Sequence, residues 1–448
     1  MRRCATPTLV LAVLVLLLSH VAARAALTGG CAKVNITPPL GLKLIGSKGQ
    51  PSDAVLDELF AKALVLSDGT TTLALVSIDL LYTPLEEITN PVRALVKEKT
   101  GIAERNVMIC ASHTHSGPEV FTNWKLDPED HVDESEIDQA YLKTLIREMA
   151  GAVELAHRNR RDVRIGAALG ELPEVIYNRR PRRADGKVQM AFTLPAEVAA
   201  THCVQTSLDG STRVTFTFPE DTPPLTFGPI DPDVFALRVE DAGGEILASL
   251  VSFGCHPVCV YPFQSTAVSA DYPAHATRVV EQAEGGISLF ALGLAGNIVP
   301  RQRDVGPCAQ IGRALGGEAV RRLQFVTTTD KVALASGRRT VTLPTKNGSP
   351  ESITTEIQVL RLGEIYLLGL PGEVLVEVGL AIKSRADLET LFVTTMTNDS
   401  IGYVCHRRAY DEGAYEPGAG TNLAPGAGEI IIEQALALLD EVKQGRVK

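Results

Sequence analysis

Leu73-Ala74-Leu75-Val76-Ser77-Ile78-Asp79 decides the fold, together with the two segments that follow it, Pro84-Leu85-Glu86-Glu87 and Asn106-Val107-Met108-Ile109-Cys110-Ala111. The outer two are apolar runs of strand length. The middle one opens a helix with Pro84 in its first turn and runs to Gly101, a residue suited to a helix end. Strand, helix and strand in this order predict two parallel strands joined by a right-handed crossover. Elsewhere the chain reads as hairpins. Residues 234–240 and 245–253 flank Ala242-Gly243-Gly244, and 353–362 and 365–370 flank Gly363. Parallel and antiparallel pairing together imply one large mixed-sheet α/β domain.

Working outward, helices are predicted over 134–157, 308–323 and 373–385, and from Asp271-Tyr272-Pro273 to 285. Strands are predicted over 163–169, 287–292 and 391–396, and an amphipathic helix over 428–442. Residues 178–232 are rich in Pro, Arg, Thr and Asp and read as long loops. The 448 residues are 45% hydrophobic and 21% charged, which excludes a disordered chain, a coiled coil and a collagen-like repeat. The 53 acids against 43 Lys and Arg, with no long basic run, argue against a nucleic-acid partner.

Met1-Arg2-Arg3, the apolar run 9–18 and Ala23-Arg24-Ala25 form a secretory signal with a small-x-small cleavage site. Residues 1–25 are therefore expected to leave, and 26–448 to form the mature domain, secreted or periplasmic. Removing three Arg and no acids takes the net charge from −10 to −13. A lipoprotein reading at Thr28-Gly29-Gly30-Cys31 fits poorly, because Cys31 lies too far from the apolar run. No later stretch is long and apolar enough to span a bilayer. Seven cysteines remain after Cys4 leaves, an odd number that implies a free thiol or an intermolecular bridge. Cys255 and Cys259 flank His256, but this C-x3-C has no second pair to complete a thiolate metal site.

Familiar catalytic signatures are absent: there is no HExxH, GxSxG, P-loop or dinucleotide-binding glycine fingerprint. Polar residues at the ends of apolar strands remain, and mixed α/β folds build their sites there. Ser112-His113-Thr114-His115-Ser116 follows a buried strand, and two His at i and i+2 of an extended segment face one side. They could share an ion, or form an ordinary polar turn. Gly254-Cys255-His256-Pro257 ends another strand, where a single His could equally be a satisfied core residue. Glu373 follows Pro371-Gly372 and could be a helix cap or a ligand. Thr397-Asn398-Asp399-Ser400-Ile401-Gly402-Tyr403 reads alone as a turn. Two His and one Glu from separate strand ends would suit a catalytic zinc with an open position.

In combination, SHTHSGP (112–118), NRR (178–180), GPIDPDV (228–234), GCHPV (254–258), SADYP (269–273), GNIVP (296–300), PGE (371–373) and the ND-x2-GY turn (398–403) resemble the neutral/alkaline non-lysosomal ceramidase family. The resemblance runs from about Gly30 to the end. It implies a secreted zinc hydrolase that cleaves the amide bond of an N-acyl, ceramide-like substrate. One Zn2+ per chain would be held by His113, His256, Glu373 and Tyr403. His115 would contact the reacting group, and Arg179 the substrate, with Arg180 as the alternative register. A lipid substrate is compatible with peripheral contact at a membrane surface. Two departures stand out. The family's Gly-Asp-Val-Ser-Pro, whose Ser is the proposed nucleophile, is here Gly296-Asn297-Ile298-Val299-Pro300. The C-terminal immunoglobulin-like domain of the ceramidases proper has no counterpart, as in shorter bacterial ceramidase-like proteins. With no nucleophile at Val299, a zinc-activated water is expected to attack in its place, and Asn297 to donate to the oxyanion. The alternatives are a zinc hydrolase of esters, phosphoesters or peptides, and a non-catalytic binding protein.

Overall fold

Thr72–Ile78 and Val107–Ala111 pair in parallel, with Ala74 opposite Val107 and Ile78 opposite Ala111. The crossover between them is a π-helical turn, Leu85–Thr89, running into the helix Asn90–Thr100, which Gly101 ends in the left-handed conformation. This is the strand–helix–strand unit read from the sequence. The computed structural model describes residues 26–47, 50–121, 137–346, 348 and 350–446, so the expected signal segment lies outside the described residues.

Around that unit an eight-stranded sheet is ordered Ile287–Leu292, Ile246–Phe253, Asp233–Asp241, Arg161–Glu171, Thr28–Asn35, Phe60–Ser67, Thr72–Ile78, Val107–Ala111. Its two outermost pairs are parallel and the inner pairs antiparallel. A second sheet of four strands is ordered Leu334–Pro344, Ser352–Leu362, Ile365–Gly369, Thr390–Thr394. Both expected hairpins are present, Asp233–Asp241 with Ile246–Phe253 and Ser352–Leu362 with Ile365–Gly369.

Strand alternation explains how the sheets stack. Leu64, Leu66, Leu75, Phe235, Leu237 and Leu250 point from the large sheet into a core shared with Leu334, Leu360, Leu367 and Phe392 of the small one. Phe235 and Phe392 stack there with ring centroids 4.6 Å apart. The intervening Ala63, Val65, Val76, Val234 and Val251 face a second core with Val92, Val96, Met149, Val153, Ala276 and Leu315 of the helices. The helix Ala427–Lys443 covers the outer face of the small sheet. Mixed pairing therefore stands, divided between two stacked sheets rather than held in one, because the four-stranded unit closes its own ladder.

Three boundaries differ from expectation. The helix predicted over 373–385 begins at Val376, and Glu373 lies in a short strand, Glu373–Val374. Its amide donates to Gly402 O at 2.9 Å, so Glu373 is not a residue of that helix's first turn. The helix predicted over 134–157 is observed as Gln139–Arg158, where the Asp138 carboxylate accepts from the Tyr141 amide; its expected first residues lie outside the described ones. The predicted loops of 178–232 contain the short antiparallel pair Cys203–Thr206 and Thr212–Thr215.

Candidate metal centre

His113 lies two residues beyond the strand Val107–Ala111, in a left-handed backbone conformation (φ 68°) that costs a residue with a Cβ. Two hydrogen bonds hold it there. Its amide donates to Leu80 O at 2.9 Å, and its ring Nδ1 lies 3.0 Å from Leu81 O. A carbonyl can only accept, so Nδ1 carries a proton, and in the neutral imidazole Nε2 is the lone-pair nitrogen.

His256 is built in the same way from the end of Ile246–Phe253. Gly254 allows the close approach, since a Cβ there would lie 2.8 Å from Leu294 O. The His256 amide donates to Ile298 O at 2.9 Å, and Nδ1 lies 2.5 Å from Ala295 O. Its Nε2 is likewise the bare nitrogen.

Glu373 and Tyr403 are direct partners in the short parallel pair Glu373–Val374 and Tyr403–Val404. Gly372 turns the chain into that strand at φ 71°, where a Cβ would fall 2.4 Å from Gly402 O. Glu373 Oε2 lies 2.9 Å from His256 Nε2 and 3.4 Å from His113 Nε2. The Tyr403 hydroxyl is 3.4 Å from His256 Nε2. Four residues from four strand ends therefore converge, all buried.

His115 completes the cluster. One ring nitrogen from each of His113, His115 and His256 lies within 4.8 Å of the others. Nε2 of His115 is buried without a hydrogen-bond partner, as is Nε2 of His113. The His115 ring stacks on Tyr261 with centroids 5.7 Å apart.

The chemistry of this donor set fits a cation. Bare imidazole nitrogens and a carboxylate oxygen face one another away from water, and such an arrangement repels unless positive charge lies among them. Burial, together with Arg179, lowers the His256 pKa to about 4. Burial and the two neighbouring imidazoles push His115 well below the usual range. For Glu373 burial acts upward, and only positive charge at the His113 and His256 positions outweighs it and holds the carboxyl well below its ordinary value. Burial raises the Tyr403 phenol, with Arg179 opposing. A phenolate there therefore requires further positive charge.

Of the remaining expected residues, Arg179 reaches the cluster and Arg180 turns away. Arg179 Nη2 donates to the Tyr403 hydroxyl at 3.0 Å and to Gly296 O at 3.1 Å, and Nε donates to Glu416 at 2.8 Å. Arg180 donates to the other Glu416 oxygen and to Gly413 O. Asn297 occupies a supporting position. Its Nδ2 donates to Glu377 at 2.9 Å and its Oδ1 accepts from the Val376 amide at 2.8 Å. Its backbone carbonyl accepts from the Arg179 amide. The carboxamide thus ties the 296–300 loop to the segment after Glu373, and the oxyanion contact expected of it would have to come from its remaining amide hydrogen. Val299 is buried in a strand paired with Tyr177 and carries no nucleophile.

Sequence reasoning did not find Tyr82 or Glu416. Tyr82 packs its ring 5.7 Å from His113, and burial and then the nearby Glu373 carboxylate raise its phenol. It follows the strand Thr72–Ile78 closely, so the same strand-end criterion could have singled it out. Glu416, fully buried, braces both Arg179 and Arg180 from a Gly- and Pro-rich loop with no distinguishing signal.

No family model matches the chain. Two solved structures share its fold. One is a crystal structure of neutral ceramidase from Pseudomonas aeruginosa, with a TM-score of 0.73 at 17% identity, covering 94% of this chain and 75% of that one. The other is a ceramidase complexed with C2, with a TM-score of 0.72 at 18% identity, covering 94% and 76%. The chain has the neutral ceramidase fold.

Proposed function

We propose that this chain is a member of the neutral ceramidase family and a zinc-dependent amidohydrolase that cleaves an N-acyl, ceramide-like amide. The observation that carries this reading is the convergence of His113, His256, Glu373 and Tyr403 on one buried point, with both histidines presenting bare Nε2 atoms. The neutral ceramidase fold supports the substrate class.

These four residues would hold one Zn2+. Bound there, zinc would supply Lewis acidity, polarising a carbonyl and lowering the pKa of a water from about 15.7 toward about 7. The protein's own contributions follow from its geometry. His115, two residues from a ligand and with Nε2 unpartnered, would take the proton from the attacking water and pass it to the departing amine. Arg179 would hold the Tyr403 oxygen and keep positive charge beside the reacting carbonyl, braced by Glu416. The carbon–nitrogen bond breaks with water as the nucleophile and no acyl-enzyme, because Val299 offers no attacking atom. Export with cleavage near Ala25, and contact with a lipid surface, belong to the same reading.

Hydrolysis of N-acylsphingosines and other N-acyl amides by purified protein, with and without a chelator, tests this. Release of amine and fatty acid that stops on chelation and returns with zinc is the expected result. The buried valine at the family's Ser position favours, as a second reading, a non-catalytic binding protein that kept the fold and lost the chemistry. Binding of an N-acyl amide by the zinc-loaded protein with no turnover of it would replace the first reading by the second.

A further inference from the structure

Cys259 and Cys308 meet beside the loop that carries His256. Cys259 lies three residues beyond that histidine, and Cys308 sits in the first turn of the helix Val305–Leu323. Their sulfurs and a carboxylate oxygen of Asp271 all lie within 4.8 Å of one another, and all three residues are buried. Backbone hydrogen bonds join the two segments. The Asp304 amide donates to Cys259 O at 2.8 Å, and the Cys308 amide to Asp304 O at 2.9 Å. The main chain thus holds the two cysteines on adjoining, hydrogen-bonded segments, the setting that a sulfur–sulfur bond of roughly 2 Å requires.

A metal is the rival occupant, and Asp271 argues against it. One of its carboxylate oxygens accepts from the Val260 amide at 2.9 Å, the other from the Tyr272 amide at 2.8 Å. Turning it onto a cation would strip a helix of its cap and leave buried amides without partners. The third nearby thiol, Cys255, points to His256 O at 3.6 Å. Two sulfurs without further ligands suit a covalent bond better than a metal ion.

We propose that Cys259 and Cys308 form an intramolecular disulfide that staples the His256 loop to the helix Val305–Leu323. The oxidant is a small-molecule disulfide such as glutathione disulfide. The Cys259 thiolate attacks one of its sulfurs and releases one glutathione thiolate, giving a mixed disulfide. The Cys308 thiolate then attacks the Cys259 sulfur and releases the second glutathione. Two protons leave the protein thiols and two electrons pass to glutathione disulfide, which becomes two thiols. Burial pushes the Cys259 thiol up to about 12, so thiolate is scarce in the finished fold and the exchange belongs to folding, while the pair is still accessible. The bridge leaves Cys31, Cys110, Cys255 and Cys405 as buried thiols and Cys203 as the exposed one. The inference does not depend on the proposed activity.

The test is to refold the full chain with glutathione disulfide, alkylate it and digest it with trypsin. Peptides 239–278 and 304–313 should appear joined, with fragmentation placing the bond at Cys259 rather than Cys255. Reduction should lower the unfolding midpoint by about 5 °C, as expected for a bridge closing a loop of this size in a chain of this length. A Cys308→Ser variant should lose that sensitivity to reductant; if it fails to fold, the peptide map of the unaltered chain decides alone. Alkylation of both Cys259 and Cys308, or a bond to Cys255, would overturn the proposal. So would a second metal equivalent that disappears when Cys259 and Cys308 are both replaced by Ser.

Discussion

Electron-rich atoms confined without water repel one another, and at this centre the repulsion is set by single hydrogen bonds. Leu81 O and Ala295 O take the Nδ1 protons of His113 and His256, leaving Nε2 lone pairs against the Glu373 carboxylate. A cation resolves that conflict, so ligand loss should be read first in metal content. Elemental analysis should find one zinc per chain, and a His113→Ala/His256→Ala double variant should lose it, because each ligand carries a large part of the coordination energy. Zinc undiminished in the double variant would remove the proposed ligand set. His115 should behave differently. His115→Ala should keep its zinc while activity falls by at least about a hundredfold, the usual size of general acid–base assistance. Val299→Ala should retain activity once corrected for the folded fraction. A trapped acyl-enzyme, or full activity without His115, would falsify the water mechanism.

Two of the four proposed ligands are carried to their positions by short elements. Glu373 and Tyr403 face the same point because two-residue strands pair them in register, and Gly372 makes the pairing possible. The helix that follows begins only at Val376, so Glu373 is free of helix geometry. Replacing Gly372 by Ala would put a Cβ 2.4 Å from Gly402 O in a backbone conformation at φ 71°. The strain of such positions costs on the order of 1–3 kcal/mol, to be relieved by moving the strand that holds Glu373. Gly372→Ala should therefore bind zinc more weakly, as measured by competition with a chromophoric chelator. Unchanged zinc affinity and thermal midpoint would show that the pair tolerates the shift. Asn297 works at the same scale, since its side chain ties the 296–300 loop to the segment carrying Glu373.

Across the whole molecule, two sheets stack between helical layers, and the candidate centre gathers where several strands end. No helix among the described residues is long and apolar enough to cross a membrane. Export is argued from the first residues alone. N-terminal sequencing of protein from the periplasm or medium should begin near Ala26, and an intact Met1 in a cytoplasmic fraction would contradict it. Local pattern sufficed for the strand–helix–strand unit of 73–111, both hairpins and the histidines at strand ends, because apolar periodicity and turn chemistry act over a few residues. The resemblance in its motifs supplied Tyr403, which spacing alone would have left as part of a turn. Convergence was another matter. His113 and Glu373 are 260 residues apart in the chain and 3.4 Å apart in space, a distance set by how two sheets stack. The protonation of each imidazole depends on carbonyls contributed by other segments. The bracing of Arg179 by Glu416, the commitment of Asn297 to Glu377 and the meeting of Cys259 with Cys308 likewise arise only once distant loops are packed together. Residue types and local periods are written in the chain, whereas contact between distant side chains is fixed by tertiary packing, which no local pattern encodes.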